Sequence, residues 1–451
     1  MLLHHKWDRM LRFSPDRTLI LAASGESWST RSIDRLSQSW GERLDAIPQI
    51  KGRLVGFSLP NGADWMALFV AILRAGGVAL PLDPGSDVAN HESTVQSVGG
   101  VALIDRAGLK FWKGTAHALP PEICLAKLTS GSTGQPRRFC FSHAEMEADG
   151  CQVQRGMGIG ADDVNLAVIP FGHSYGLGNF VMPLLRSGTA VALGRSILPR
   201  DVVADLEATS ATVFPAVPPL IHALATADLP VDRLGQIRLV ISAGGRLPGQ
   251  LAQRFGERFN LPVCSFYGST ETGGITFDRR GADSGSERSV GKPLPGVNVV
   301  RSRTGRLLVT SRAVYSHGNR RRTDSGTGCV LLSDYGRILD DGAVALGGRR
   351  RGFIKKAGRR ISLAEVETVA RALPGVRQAW ASGSNPAGSE ESIGLVVETD
   401  LTAEVIRSGL KKNLPKWKRP TRIVCLGRFP TTIRGKFATK ELERYLTSRS
   451  W

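Results

Sequence analysis

The chain has 451 residues, of which 41% are hydrophobic and 22% are charged, and its formal net charge is +19. This composition is typical of a globular protein and excludes a disordered or fibrous chain. The length predicts about two to four domains.

Strands and helices alternate in the predicted element order. Short apolar runs bounded by turn residues predict strands, and longer apolar or periodic runs predict helices. The predicted strands are Leu54–Leu59, Val78–Pro81, Val101–Ile104, Val164–Ile169, Ala190–Leu193, Thr212–Phe214 and Leu239–Ser242; the predicted helices include Trp65–Arg74, Pro219–Thr226, Gln250–Phe259 and Ser362–Ala372. This alternation is typical of βαβ units and predicts an α/β fold with largely parallel sheets.

A change in charge marks the predicted domain boundary. Two glycines meet a run of arginines in Gly347–Gly352, and residues 349–451 hold 22 Lys and Arg but only 9 Asp and Glu, a net charge of +13. We therefore predict an N-terminal domain over 1–348 and a basic C-terminal domain over 349–451. A basic domain suits an anionic partner, such as nucleic acid, an acidic protein or a phosphorylated cofactor. No nucleic-acid-binding motif supports the first of these.

The sequence also bears on metal binding and location. The six cysteines are scattered without a CxxC pair, which is typical of reduced thiols and makes a zinc site unexpected. The longest strongly apolar stretch, Trp65–Leu73, is about half the length of a membrane span. Charged residues interrupt the first residues, so no secretory segment is predicted, and we expect a cytoplasmic protein without a membrane span.

A loop rich in glycine and hydroxyl groups carries the first chemical signal. Its residues are Thr129, Ser130, Gly131, Ser132, Thr133 and Gly134. Such a loop can present backbone amides and hydroxyls to phosphate oxygens, although a plain turn has a similar composition. It is not a Walker loop, because no Gly-Lys-Ser/Thr follows at the required spacing.

Further motifs follow this loop along the chain. They are Pro170–Gly176, Tyr267–Glu271, Ser333–Gly336 with Asp341–Gly342 and Gly348–Arg349, and Arg434–Lys436. Together with the loop, and in this order, they resemble the motifs of the adenylate-forming superfamily of acyl-CoA synthetases, peptide-synthetase adenylation domains and luciferases. The resemblance implies a large multi-sheet N-terminal domain and a small α+β C-terminal domain that rotates between two half-reactions.

The resemblance also implies an AMP-forming acid–thiol ligase. The implied substrates are ATP with Mg²⁺, a carboxylic acid, and the thiol of CoA or of a phosphopantetheine arm on an acidic acyl carrier protein. The implied ATP- and AMP-binding residues are the loop residues with Gly244, Gly245, Tyr267, Gly268, Asp334 and Arg349. The implied catalytic residues are Lys436, Glu271, Thr270 and His173, with Glu271 as the metal ligand. The implied acid pocket contains His173, Gly178, Gly273 and Gly274, and the implied hinge and thiol-acceptor loop contains Arg351, Gly358 and Arg360.

These residue types suit the chemistry. A carboxylate and a triphosphate repel each other, so the site must supply positive charge and align the reacting atoms. The ammonium of Lys436 could bridge the carboxylate and the α-phosphate, and a carboxylate such as Glu271 suits magnesium. Taken alone, Glu271 could be a solvated loop residue, Tyr267 a core residue at a strand end, and Asp334 a turn residue.

Several positions depart from the family pattern. Arg137 and Arg138 stand where Lys-Gly is usual, and Arg351 stands at the usual hinge acid, with Gly352 beside it. Arginine keeps the charge but is larger and forked. These departures leave open an adenylation-only or degenerate family member.

A serine hydrolase is a second alternative. Gly172–Gly176 spells G-x-S-x-G, which would make Ser174 a nucleophile. A hydrolase also needs a histidine, and only His222 and His317 follow. We expect His222 to be a core residue because it lies within an apolar helix. The hydrolase hypothesis leaves the other motifs unexplained.

The predicted acid is hydrophobic. Small residues around the implied pocket, including Gly172, Gly176, Gly178, Gly273 and Gly274, leave room for an aryl ring or a fatty chain. We find no isolated charge in these segments that would bind the ammonium group of an amino acid.

Overall fold

The fold is described from a computed structural model of the chain. The described residues are 2–85, 91–112, 117–129, 137–229, 234, 236–245, 247–281, 289–319, 327–349, 353–356, 359–384, 392–431 and 437–447. They divide into two compact units, which we describe separately. Unit 1 comprises Met1–Val300, Leu308–Val330 and Ile338–Val344, and unit 2 comprises Arg301–Leu307, Leu331–Arg337 and Ala345–Trp451.

The helices of the described residues lie in both units. They are α1 Leu3–Phe13, α2 Thr30–Leu44, α3 Ala63–Arg74, α4 His91–Ser97, α5 His143–Met157, α6 Ser174–Gly176, α7 Met182–Ser187, α8 Pro199–Thr209, α9 Pro218–Thr226, α10 Gly249–Phe259, α11 Leu363–Arg371, α12 Ala403–Asn413 and α13 Thr439–Thr447. A π-helical turn, Leu177–Val181, lies between α6 and α7, and a 3₁₀ turn spans Lys416–Lys418.

The strands of the described residues form five sheets. They are β1 Thr18–Ala22, β2 Ser27–Ser29, β3 Leu54–Phe57, β4 Val78–Pro81, β5 Gly100–Asp105, β6 Gly108–Phe111, β7 Ile123–Thr129, β8 Arg137–Ser142, β9 Val164–Ala167, β10 Ala190–Leu193, β11 Val213–Ala216, β12 Leu239–Ser242, β13 Val263–Ser269, β14 Gly273–Phe277, β15 Lys292–Pro293, β16 Val297–Arg301, β17 Arg306–Ser311, β18 Cys329–Ile338, β19 Val344–Arg349, β20 Phe353–Lys356, β21 Arg359–Ser362, β22 Val376–Ser384, β23 Ser392–Thr399 and β24 Arg422–Leu426.

Two large sheets organise unit 1. The nine-stranded sheet has the order β15-β14-β13-β12-β11-β9-β10-β1-β2, and the six-stranded sheet has the order β6-β5-β3-β4-β7-β8. Their inner strands are parallel, whereas the outer pairs β1–β2, β13–β14, β5–β6 and β7–β8 are antiparallel. The carboxyl ends of parallel strands meet at one edge, where loops can form a site.

Helix α3 lies at the centre of the core of unit 1. Ala63 and every residue from Trp65 to Leu73 are buried, as expected for a helix that is apolar on all sides. The Trp65 ring stacks on Phe69 at 5.3 Å and meets Phe171 edge-on at 5.4 Å. No helix of the described residues is long and apolar enough to cross a membrane.

Unit 2 contains its own smaller core. Strands β22, β23 and β24 form a three-stranded sheet, and β20 and β21 form a two-stranded one. Helices α11 and α12 contribute Val366, Ile406 and Leu410 to a buried cluster with Leu395. Ser362 caps α11 by accepting a hydrogen bond from the Glu365 amide at 3.2 Å.

The predicted elements are present, with small shifts at their ends. The bounds of β4, β10 and β12 agree with the prediction, and helices α3, α9 and α10 begin one or two residues earlier. Strand β11 begins at Val213, one residue later than predicted, and the hydroxyl of the preceding Thr212 donates to Asp163 at 2.8 Å. The α/β prediction, with a large N-terminal and a smaller C-terminal domain, is confirmed.

Candidate active site

The antiparallel pair β7 and β8 carries both ends of the predicted phosphate loop. Thr129 is the last residue of β7 and pairs with Arg137, the first residue of β8. The remaining loop residues, Ser130, Gly131, Ser132, Thr133 and Gly134, lie outside the described residues. Phosphate binding by the loop therefore stays a prediction.

One face of this strand pair is aromatic and holds a buried lysine. Lys127 pairs with Phe139 across the strands, and its ammonium lies 4.3 Å from the centre of the Phe141 ring. The Tyr315 ring packs edge-on against Phe139 at 4.9 Å. Lys127 is 4% exposed, and among the described residues its Nζ has no hydrogen-bond partner. Burial lowers the pKa of Lys127, and the charge of Asp149 opposes this effect.

Glu271 lies on the turn between β13 and β14. The Ser269 and Thr272 hydroxyls are 3.0 Å apart across this turn, and the Tyr315 amide donates to the Glu271 carbonyl oxygen at 3.2 Å. Within the described part of the chain, no hydrogen bond or ion pair occupies the half-buried Glu271 carboxylate. A free carboxylate, completed by water and phosphate oxygens, fits the needs of Mg²⁺. Thr270 is the neighbouring hydroxyl on this turn.

Tyr315 brings the Glu271 turn and the strand pair together. Burial raises the pKa of the Tyr315 phenol, the Arg137 guanidinium lowers it, and the Glu271 carboxylate raises it. The phenol therefore lies within electrostatic range of both charged side chains. The predicted metal ligand Glu271 therefore lies near β8, the strand that begins where the predicted phosphate loop ends.

A second buried charge, Asp149 on α5, holds the other side of the Glu271 turn. Its Oδ1 accepts a hydrogen bond from the Gly274 amide at 2.9 Å. A Cβ on Gly273 would lie 2.2 Å from the same oxygen, and a Cβ on Gly178 would lie 3.6 Å from Oδ2. Burial raises the pKa of Asp149, whereas Lys127 and the Gly274 amide lower it.

These contacts change the interpretation of the glycines predicted in the acid pocket. Gly273 and Gly274 are buried, and the space beside them is occupied by Asp149, Leu294 and Phe266. The packing of neighbouring side chains is therefore one reason for glycine at both positions. Binding of the acid by Gly273 and Gly274 stays a prediction. Asp149, which lies outside these segments in the sequence, lies against Gly273 and Gly274 in the structure.

The predicted adenine-binding residues lie at the carboxyl end of the parallel strands. Gly244 and Gly245 follow β12 and are exposed, and Gly244 has a φ of +78°. Tyr267 is half-buried on β13 and pairs with Thr276. Gly268 is required by the backbone, since a Cβ there would lie 2.7 Å from the Gly273 carbonyl oxygen. This edge of the sheet suits ligand binding.

His173 begins a short helical segment of unusual geometry. It is half-buried and caps α6, because its Nδ1 accepts a hydrogen bond from the Tyr175 amide at 3.3 Å. The π-helical turn follows directly and contains Gly178. The Asn165 side chain donates to the carbonyl oxygen of Asn179 in this turn at 3.0 Å. Such π-helical turns are frequent at functional sites.

The hydrolase alternative gains no support from the described geometry. Ser174 opens α6, and no hydrogen bond joins its side chain to His222 or His317 within the described residues. The expectation that His222 is a core residue is wrong. Helix α9 buries Leu220, Ile221 and Leu224 and leaves His222 exposed.

The remaining predicted residues belong to unit 2. Asp334 lies on β18 and is 8% exposed. Arg349 is the last residue of β19, and Arg360 lies on β21, where it pairs with Lys355. Arg351, Gly358 and Lys436 lie outside the described residues, and Thr431 and Phe437 form an antiparallel bridge on either side of the Lys436 segment.

Parallel sheets whose carboxyl edge carries polar and glycine-rich segments are typical of ligand-binding α/β enzymes. The family profile "AMP-binding enzyme" matches residues 7–127 and 110–310, and "AMP-binding enzyme C-terminal domain" matches residues 365–436. The chain belongs to this family, the adenylate-forming superfamily, and it is an AMP-forming acid–thiol ligase.

Several proteins are similar over almost the whole chain. The uncharacterized acyl–CoA ligase YhfT of Bacillus subtilis is 26% identical over 99% of this chain and 98% of its own. The 4-coumarate–CoA ligase 5 of Oryza sativa subsp. japonica is 24% identical over 95% and 92%. Tyrocidine synthase 3 of Brevibacillus parabrevis is 24% identical over 98% of this chain, which spans 8% of the length of that relative.

A solved structure shares the fold. ATP-bound MatB from Rhodopseudomonas palustris superposes with a TM-score of 0.85 and 21% identity, over 99% of each chain. At this identity the similarity concerns the fold alone.

Proposed function

We propose that the protein activates a hydrophobic carboxylic acid, aryl or fatty, as an acyl adenylate and then transfers the acyl group to a thiol. In the first half-reaction, a carboxylate oxygen attacks the α-phosphorus of ATP and pyrophosphate leaves. In the second, the thiol sulfur attacks the acyl carbonyl carbon and AMP leaves. The proposed reaction takes place in the cytoplasm, where ATP and CoA are available.

The Glu271 turn is the observation that carries this proposal. No hydrogen bond or ion pair occupies its carboxylate in the described part of the chain, and the Tyr315 amide and the Asp149 carboxylate hold the backbone on both sides of it. The neighbouring strand pair ends in a loop of four hydroxyls. A fixed oxygen ligand beside a hydroxyl-rich loop suits a metal-bound triphosphate.

The proposed roles follow from the chemistry of each group. The amides and hydroxyls of the loop from Thr129 to Gly134 hold the phosphates, and Glu271 holds the metal. Magnesium, when bound, reduces the repulsion between the triphosphate and the carboxylate. Asp334 accepts hydrogen bonds from the ribose hydroxyls, and Arg349 donates to the ribose. The ammonium of Lys436 stabilises the charge that develops between the carboxylate and the α-phosphate.

The proposed acid is hydrophobic, and the residues that flank His173 are largely aromatic and apolar, including Phe171, Tyr175 and Phe180. The Tyr175 ring lies 5.8 Å from Phe266, and the Phe171 ring lies 6.0 Å from Phe180. Asp149, a buried acid beside the predicted pocket, already accepts from the Gly274 amide and lies within electrostatic range of Lys127. It is therefore not free to bind the ammonium group of an amino acid. The name of the 4-coumarate–CoA ligase relative also favours an aryl acid.

The proposed thiol is that of CoA or of an acidic acyl carrier protein. The basic C-terminal region, with its net charge of +13, suits a phosphorylated cofactor and an acidic protein alike. Arg351, Gly358 and Arg360 are the residues proposed to act at the hinge and beside the thiol.

ATP–pyrophosphate exchange tests the first half-reaction. We would measure it with magnesium over a panel of aryl, fatty and amino acids, for the wild type, Lys436→Ala and Ser174→Ala. Lys412→Ala is the matched control, since Lys412 is an exposed lysine of the C-terminal unit. We expect exchange with hydrophobic acids that is lost in Lys436→Ala and retained in both other variants. Exchange with α-amino acids alone would contradict the proposed acid class, and loss of activity in Ser174→Ala with Lys436→Ala active would favour a hydrolase.

A second assay separates the acceptors. We would add CoA or a phosphopantetheinylated carrier protein to the pre-formed acyl adenylate and measure the thioester by mass spectrometry. Thioester with either acceptor supports the second half-reaction and identifies the thiol. An adenylate that accumulates and reacts with neither acceptor would indicate an adenylation-only enzyme.

A further inference from the structure

Lys127 is a buried cation that the proposed reaction does not use. It is 4% exposed on β7, two residues before the predicted phosphate loop, and its ammonium lies over the Phe141 ring. Burying an ammonium costs several kcal/mol, and an apolar side chain of similar volume is often as stable or more stable in such a place. The presence of lysine at this position therefore calls for a role beyond packing.

Asp149 is the opposing charge. It is 2% exposed on α5, and its effect on Lys127 is the largest of those that oppose burial, ahead of Cys124 and Glu145. No ion pair within 4.0 Å joins Lys127 and Asp149 in the described residues. The two charges therefore act through a low-dielectric interior rather than through a direct contact, and in such a medium the attraction extends further than in water.

The Asp149 carboxylate in turn fixes the backbone that follows Glu271. It accepts from the Gly274 amide at 2.9 Å and fills the space where Gly273 has no Cβ. A hydrogen bond to an ionised carboxylate is stronger than one to a neutral group. Burial raises the pKa of Asp149, and the positive charge of Lys127 opposes this effect and so favours the ionised carboxylate.

We propose that Asp149, with the buried ammonium of Lys127 as its counter-charge, positions the Glu271 turn through its hydrogen bond to the Gly274 amide. Through Asp149, helix α5 fixes the β13–β14 turn that carries the proposed metal ligand, and Lys127 lies on β7, the strand that leads to the predicted loop. Both are positioning residues: they act through Gly274 and do not touch substrate. The proposal rests on the proposed function only in the role that it gives to Glu271.

Amide hydrogen exchange tests the positioning without any ligand. The variants are Lys127→Met, Asp149→Asn, Asp149→Ala and the doubles K127M/D149N and K127M/D149A. Asparagine keeps an oxygen that can accept from the Gly274 amide, whereas alanine does not. Asp205→Asn is the matched control, because Asp205 is also fully buried in unit 1 and accepts from the Arg195 amide at 2.8 Å.

We expect the Gly274 amide to exchange about tenfold faster or more in Asp149→Ala and K127M/D149A, because its acceptor is gone. Asp149→Asn leaves the buried ammonium without its counter-charge and should lower the melting temperature. K127M/D149N removes both charges, so its melting temperature should return most of the way to the wild-type value. Its Gly274 amide should again be protected from hydrogen exchange. Asp205→Asn should lower the melting temperature and leave Gly274 protected.

The magnesium dependence of ATP–pyrophosphate exchange is the functional readout. A purely structural role lowers the amount of active enzyme and leaves the half-saturating Mg²⁺ concentration unchanged. We expect this concentration to rise about tenfold in Lys127→Met and Asp149→Ala, as is usual when support of a metal ligand is lost. It should stay at the wild-type value in Asp205→Asn and return towards it in K127M/D149N.

Two results would overturn the inference. One is unchanged Gly274 protection in folded Asp149→Ala; the other is a double variant K127M/D149N that is no better than Asp149→Asn in both melting temperature and protection. Failure of the proposed function would look different, since the wild type itself would then show no exchange with any acid while the hydrogen-exchange results still held.

Discussion

Substitution of Gly273 by alanine should be among the most damaging single-methyl changes at the candidate site. Gly273 has a φ of +69°, and its added Cβ would lie 2.2, 2.5 and 2.8 Å from Oδ1, Cγ and Oδ2 of Asp149. The carboxylate cannot move aside freely, because it is buried and bonded to the Gly274 amide. Left-handed backbone costs an alanine about 1–2 kcal/mol, and overpacking adds about 1–3 kcal/mol.

Gly158 is a matched control within the same unit. It has the same φ of +69° at the end of α5, and nothing lies within 4 Å of its added Cβ. Gly158→Ala therefore has the same unfavourable left-handed backbone and the same loss of freedom in the unfolded chain as Gly273→Ala. It differs only in that its added methyl group meets no other atom. The difference in the free energy of unfolding between the two variants should be about 1–3 kcal/mol.

Urea unfolding followed by tryptophan fluorescence measures this difference. In an Asp149→Ala background the clash is absent, so the additional cost of Gly273→Ala over Gly158→Ala should disappear. Equal losses for Gly273→Ala and Gly158→Ala in the wild-type background would refute the argument that Asp149 requires a glycine here. Gly273→Ala should also raise the magnesium requirement of the exchange reaction, and Gly158→Ala should not.

Three further predictions follow from other contacts. Burial alone would raise the pKa of Asp163, but hydrogen bonds from Arg238, the Gly160 amide and Thr212 lower it below its ordinary value. Asp163→Asn should therefore lower the melting temperature at pH 7, and the difference from the wild type should shrink as the pH falls below about 4. Tyr315→Phe keeps the packing on Phe139 and should alter the magnesium dependence more than the melting temperature; equal melting curves and equal magnesium dependence would exclude a role for the phenol. His222→Ala, at an exposed position, should leave both stability and activity unchanged.

The sequence predicts most of the fold because its signals are local. The apolar run of α3, the proline that ends β4 and the Ser362 cap of α11 each lie within a few residues of the element that they define. The error at His222 has a local cause as well. An apolar helix on the surface buries one side only, and His222 lies on the other side from Leu220 and Leu224.

The candidate site depends on contacts that no local pattern contains. Lys127 and Asp149 are 22 residues apart in the sequence, and the Asp149 acceptor and the Gly274 donor are 125 residues apart. Tyr315 reaches Phe139 and Glu271 from a segment that no motif marks. A lysine in an apolar strand is the one signal that could have been noticed, because strands with both faces covered rarely hold an unpaired charge.

The buried glycines illustrate how a small residue in a motif can have a second physical reason that the sequence does not show. Gly273 and Gly274 follow Glu271 in the sequence, and their small size suggests open space for a substrate. In the structure that space is filled, by Asp149 at Gly273 and by Leu294 and Phe266 at Gly274. Glycine is needed at position 273 so that the turn bearing Glu271 can approach the buried Asp149 carboxylate closely. The close packing at Gly273 and Gly274 therefore explains why small residues follow Glu271, and it does so without any reference to the size of the acid.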